Sequence, residues 1–262
     1  MIHCENCSNS FEGKFCNQCG QKATVKRITL KSVFAELIKK ITIWDKGLMY
    51  TTVQLMTGPG RMAYAYIQGR RVNFTKPLTY ILLTVTASMY FFPKKDFEQV
   101  MNAGAKKQAT VFQSADWLFS NMGIIYLFLL PFLAWVSRWF NRKSRFNFAE
   151  QFVFYAYLMA GCTIVIIPFT CVLNIMDVNT IGVNPLTILE YICWLLFFAW
   201  GYVQFYGKQK SYWGGIQGLL VLFISYILYI FAFGLIFTIA MIIDRIFHLN
   251  LFTLPNTALP TQ

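Results

Sequence analysis

Two Cys-x-x-Cys pairs, Cys4 with Cys7 and Cys16 with Cys19, stand near the start of the chain. Each pair lets two thiolates reach one metal from a single tight turn, and two pairs complete a tetrahedral four-sulfur shell. Zinc is the expected ion, with iron the alternative. Four thiolates leave no coordination position for water, so the chemistry they predict is structural rather than catalytic. Gly20 directly follows the last cysteine and relieves the knuckle backbone, and Gly13 is placed to turn a short hairpin between the pairs. A segment this short cannot bury a useful core, so the metal is expected to supply its folding energy. Paired metal-binding thiols also predict a reducing compartment. His3 is adjacent but surplus to the set. Cys162, Cys171 and Cys193 lie in apolar runs and read as small buried hydrophobes.

Other chemistry-bearing residues are few. Arg61, Arg70, Arg71 and Lys76 form a basic collar just before the first long apolar run. Such charges either fix membrane topology or bind an anionic lipid headgroup or ligand. Asp45 and Glu190 are candidate functional carboxylates. The two histidines, His3 and His248, stand at opposite ends of the chain. No Ser-His-Asp set, HExxH helix, phosphate loop or dinucleotide fingerprint is present, so no catalytic residue is assigned.

The elements that must position these residues are membrane helices. Of 262 residues, 56% are hydrophobic and only 13% charged, too apolar for an ordinary soluble domain. Five stretches read as spans: residues 77–92, 117–137, 152–173, 186–206 and 216–243. Residues 1–76 carry twelve Lys/Arg against four Asp/Glu. The 138–151 loop holds Arg138, Arg142, Lys143 and Arg145, and the 207–215 loop Lys208 and Lys210. The 174–185 loop holds no Lys or Arg, and the tail only Arg245. This alternation places the N-terminus in the cytoplasm and the C-terminus outside, and it requires the short first stretch to cross. No signal peptide is visible, so the first span is expected to act as its own insertion signal. Pro131 and Pro168 fall inside spans and predict kinks.

The chain therefore divides into a metal-binding segment at 1–24, cytoplasmic amphipathic and juxtamembrane helices at 25–76, and a transmembrane domain at 77–262. Within the middle part, Leu30, Val33, Phe34, Leu37, Ile38, Ile41 and Trp44 recur at helical spacing. The resulting stripe either lies in the membrane interface or packs on the protein itself. A second apolar segment from Gly47 ends at Thr57-Gly58, and a short helix starts at Pro59 and stops at Gly69.

Several runs carry a resemblance: His3-Cys4, Phe15-Cys16, Cys19-Gly20-Gln21-Lys22, Asp45-Lys46-Gly47-Leu48, Thr51-Thr52, Pro59-Gly60 and Tyr66-Ile67, then Gly69-Arg70-Arg71, Phe74 and Pro77. Over residues 3–80 the chain resembles a family of uncharacterised bacterial zinc-ribbon integral membrane proteins. The resemblance implies an N-terminal zinc ribbon and a bacterial inner-membrane location, and it implies no activity. The expected fold is thus all-α and membrane-embedded, about five transmembrane helices preceded by a zinc ribbon and amphipathic helices. The expected function is a non-enzymatic scaffold or accessory subunit whose ribbon recruits a protein partner and whose spans contact membrane lipids. A transporter or permease component for a lipid or small hydrophobic solute is the alternative, and a membrane enzyme at the cytoplasmic leaflet the second. The ribbon carries only Lys14 and Lys22 against Glu5 and Glu12, so no nucleic-acid partner is expected.

Overall fold

A computed structural model describes residues 1–25, 27–33, 47–91, 122–142, 144–175, 185–206 and 213–247. The elements are β1 (Ile2–His3), β2 (Ser10–Phe11), α1 (Gly47–Thr57), α2 (Pro59–Ile67), α3 (Pro77–Phe91), α4 (Met122–Phe140), α5 (Phe148–Ile175), α6 (Pro185–Tyr206) and α7 (Gly214–Phe247). The two short strands pair antiparallel, Ile2 with Phe11 and His3 with Ser10. Every later named element is a helix, and Phe15 and Lys22 form an isolated antiparallel bridge.

Three helices, α5, α6 and α7, are long and apolar enough to cross a membrane. Two shorter apolar helical stretches accompany them, Pro77–Ser88 of α3 and Leu127–Phe140 of α4. The 15 residues of α3 rise about 22 Å, short of the ~30 Å hydrocarbon core. Proline at the first position begins α2, α3 and α6, where its missing N–H costs nothing. Pro131 and Pro168 lie inside α4 and α5, which continue past them.

One boundary difference from the hydropathy reading is at α5, which starts at Phe148 rather than 152. Its physical reason is a capping box. The Asn147 side chain accepts the Glu150 N–H at 2.8 Å, and the Glu150 carboxylate accepts the Asn147 N–H at 2.7 Å. A helical turn also begins at Leu30, with Thr29 and Ser32 exchanging the equivalent bonds. Val33 in that turn is buried in the main core, so the first turn of the amphipathic stripe packs on the protein. The rest of the 30–44 stripe lies outside the described residues.

Neighbouring helices alternate in direction, which gathers the start of α3, the end of α4, the start of α5, the end of α6 and the start of α7 at one end. Tyr157 donates to the Thr75 carbonyl at 2.6 Å just ahead of α3. The ring of Phe146, just ahead of α5, lies 4.6 Å from Phe205 and 6.1 Å from Tyr206 at the end of α6. Phe154 of α5 stacks on Phe205 at 4.0 Å. Asn141 donates to the Tyr202 hydroxyl, and Ser137 pairs with the Tyr206 hydroxyl, joining the end of α4 to α6. Arg27 bonds Glu150 at 2.8 Å and the Arg145 carbonyl at 2.7 Å, and Asn147 donates to the Ile28 carbonyl. The N-terminal segment therefore belongs to this same end.

The hairpin of α1 and α2 is wedged into the bundle. Pro59, Gly60, Met62, Ala63, Tyr66 and Ile67 of α2 are buried, and α2 packs on α5 and α6. Contact passes through two glycines: a Cβ at Gly60 would fall on the Gly201 carbonyl, and one at Gly201 on Leu158. Small residues at helix crossings let backbones approach closely where dispersion and packing drive association. Gly60→Ala should therefore lower stability by about 1–3 kcal/mol through overpacking. Gly234→Ala, facing open space on α7, should be neutral, as thermal unfolding of both variants in detergent would report.

Candidate metal centre

The four cysteines sit on two copies of one local structure. In the first, the Cys4 N–H bonds the Asn9 carbonyl at 2.9 Å and the Ser8 N–H bonds the Cys4 carbonyl at 2.8 Å. In the second, the Cys16 N–H bonds the Gln21 carbonyl at 2.8 Å and the Gly20 N–H bonds the Cys16 carbonyl at 2.9 Å. Ser8 and Gly20 occupy equivalent positions and both have positive φ, 61° and 74°. Glycine takes that conformation without cost, whereas Ser8 takes it with a Cβ. Gly13, at φ 117°, turns the chain between the knuckles. The Asn9 side chain donates to that of Asn17 at 2.8 Å, clipping one knuckle to the other.

This geometry aims all four sulfurs at one point. Cys4 Sγ lies 3.5 Å from Cys19 Sγ, Cys7 Sγ lies 3.6 Å from Cys16 Sγ, and all four lie within 4.8 Å of one another. A tetrahedron with metal–sulfur bonds of about 2.3 Å has edges of about 3.8 Å. The set therefore fits one ion, and all four cysteines are free thiols rather than disulfides. The N–H of Cys7, against burial and with help from the N–H of Asn6, holds the Cys4 thiol below its usual value. Burial raises Cys16, but the N–H groups of Cys19 and Gln18 outweigh it and bring that thiol to about 6. Cys7 receives the Asn9 N–H, yet burial and the neighbouring sulfurs push it up to about 12. The ring thus resists taking a full set of negative charges alone, and a bound cation removes that penalty. Among the described residues, Phe11 is the one large apolar side chain buried with the cysteines.

The module is seated on the helices. Gly69 closes α2 at φ 115°, and a Cβ there would lie 3.2 Å from Val25 and 3.3 Å from Glu5 of the module. The Arg71 N–H points at the Gln21 side-chain oxygen, 3.5 Å away, and Gln21 is buried beside the second knuckle. Across the seam, Arg27 grips Glu150 of α5 with two nitrogens, and the carboxylate raises the Arg27 pKa through that contact.

Next to the module, the groove between α1 and α2 forms a cleft of about 430 Å³. Tyr50, Gln54 and Thr57 line it from α1 and Arg61 from α2, while Asn6 of the first knuckle, Arg70, Asn73 and Phe74 also border it. Of the four collar residues, Arg61 and Arg70 meet in this cleft. Arg71 lies instead over the Tyr66 ring, 5.6 Å from its centroid, and Lys76 lies half-buried away from the cleft lining. Asp45 lies outside the described residues. Glu190 is half-buried near the start of α6, at the end away from the module. Sequence reasoning missed the Arg27–Glu150–Asn147 linkage, although an Asn followed three residues later by Glu ahead of an apolar run is a recognisable helix start.

A family profile described as "Protein of unknown function (DUF3667)" matches residues 45–89, the stretch holding α1, α2 and α3. Every residue lining the α1–α2 cleft except Asn6 falls within that match. No curated protein and no solved structure matches the chain.

Replacing Cys16 with Ser removes one ligand of the closed shell and should unfold the module while the helices persist. Trypsin cleavage at Lys14 and Lys22 should then accelerate at least tenfold with unchanged far-UV circular dichroism. Equal cleavage rates in wild type and Cys16→Ser would mean the sulfurs do not hold the module together.

Proposed function

We propose that this chain is a non-enzymatic membrane scaffold or accessory subunit, in which a zinc-stapled N-terminal ribbon presents a rigid surface to a protein partner. In this reading all five apolar helices span the bacterial cytoplasmic membrane, with the ribbon inside and the C-terminus outside. The basic residues of the loops support that orientation, since Arg61, Arg70, Arg71, Arg138, Arg142 and Arg145 all fall at or near the end that carries the module. The resemblance to uncharacterised bacterial zinc-ribbon membrane proteins agrees with it.

The observation that carries the reading is a cluster of four thiols, able to close around one ion and seated against the helices, while Phe15, beside Cys16, stays 55% exposed. A shell without an open position does no chemistry on a substrate. A module used only as a staple gains nothing from an outward-facing aromatic, whereas aromatic side chains anchor protein interfaces. The α1–α2 cleft favours a second reading, a carrier or permease component for a lipid or small hydrophobic solute, because it joins two arginines to aromatic walls. The enzyme reading required Asp45 to meet those arginines, and that residue lies outside the described part of the chain.

Crosslinking in native membranes, followed by purification in mild detergent, tests the scaffold reading. Wild type should retain a stoichiometric partner that Phe15→Ala loses at least tenfold while keeping its metal. Recovery of no partner, or of the same proteins with Phe15→Ala, would contradict it.

A further inference from the structure

A second cleft, of about 310 Å³, opens where α4 meets α5. We propose that it is a binding site for a phosphate group, of the kind carried by an anionic phospholipid headgroup or by a free phosphate. Arg27, Arg138, Arg142 and Arg145 line it together with Asn141 and Ser144. The only carboxylate among the described residues at this place is Glu150, and Arg27 takes it in the one salt bridge found among them. Three guanidinium groups therefore remain as uncompensated charge around one cavity. Arginine is the side chain whose planar fork matches phosphate geometry.

Topology alone does not account for this arrangement. A loop that only fixes orientation needs its charges on the correct side of the membrane, not converged on one cavity. Here the chain turns tightly: the Asn141 N–H bonds the Ser137 carbonyl and the Ser144 N–H bonds the Asn141 carbonyl, both at 2.8 Å. Arg142, within that turn, and Arg145, just after it, line one cleft with Arg138. The Ser144 hydroxyl is buried and has no hydrogen-bond partner among the described residues. An unsatisfied buried donor beside three positive charges is the polar complement an anion's oxygen would satisfy. Asn141 is a fixed lining residue, its amide held by the Ser137 carbonyl and the Tyr202 hydroxyl.

Depth favours a lipid as the source. Trp139 is 59% exposed on the last turn of α4, with the Arg142 guanidinium 6.0 Å from its ring centroid. On the five-span reading proposed above, on which this step rests, exposed tryptophan at the end of α4 marks the headgroup level and the cleft falls where lipid phosphates lie. This site is independent of the cysteine module and of the α1–α2 cleft.

Native mass spectrometry of the full chain in detergent tests the site with phosphatidylglycerol, phosphatidylcholine and inorganic phosphate as probes. Phosphatidylglycerol should bind in a saturable step that Arg142→Gln/Arg145→Gln weakens at least tenfold and Lys14→Gln, an exposed residue lining neither cleft, leaves unchanged. Retention of that step in millimolar inorganic phosphate identifies the lipid headgroup as the source. Competition by inorganic phosphate, lost in the same double variant, identifies free phosphate and equally supports the site. Thermal unfolding shows whether the double variant folds, and Arg138→Gln is the second variant should it not. Saturable binding of neither phosphatidylglycerol nor inorganic phosphate, or binding indifferent to these arginines, overturns the proposal.

Discussion

Four sulfurs within 4.8 Å of one another are the constraint on which the module end of this molecule depends. Thiolates brought that close repel, and thiols kept neutral have little to hold them together. Among the described residues, only Phe11 adds a large buried apolar side chain to the cysteines, too little to offset the chain entropy of ordering the segment. A cation resolves both difficulties, because it is attracted to every sulfur and needs no further core. The repeated knuckle bonds then follow: N–H groups aimed at Cys4 and Cys16 favour the charged sulfurs a metal requires.

From that staple the consequences run outward through specific contacts. Glu5 and Val25 close on α2 at Gly69, where φ is positive and a Cβ would crowd both. Arg27 then reaches across to Glu150, whose carboxylate also caps α5 through the Asn147 N–H. One carboxylate thus serves a helix start and a long-range tie at once. On the other side, Gly60 and Gly201 let α2 sink between α5 and α6, and the groove it leaves against α1 is bordered by Asn6 of the module. A segment able to hold a metal, a close-packed hairpin and a helix cap are in this way joined by contacts among the described residues.

How much of this could be read from the sequence depends on how local each feature is. The cysteine cluster was legible because Cys-x-x-Cys spacing sets sulfur positions within a few residues. Helix starts at Pro59, Pro77 and Pro185 were close to legible because proline fixes its own φ and lacks an N–H. The start of α5 was misplaced by a turn because hydropathy discards Asn147 and Glu150, the polar residues that begin it. Arg70 and Arg71 looked equivalent as neighbours, but the turn after Gly69 sends one to the cleft and the other onto Tyr66. The tie between Arg27 and Glu150 spans 123 positions, and no local pattern announces a contact of that range.

X-ray absorption at the metal edge of the purified full chain tests the central claim most directly. A single closed site predicts one shell of four sulfurs at about 2.3 Å, without nitrogen or oxygen neighbours. A shell containing oxygen or nitrogen, or cysteines recovered as disulfides without metal, would contradict it.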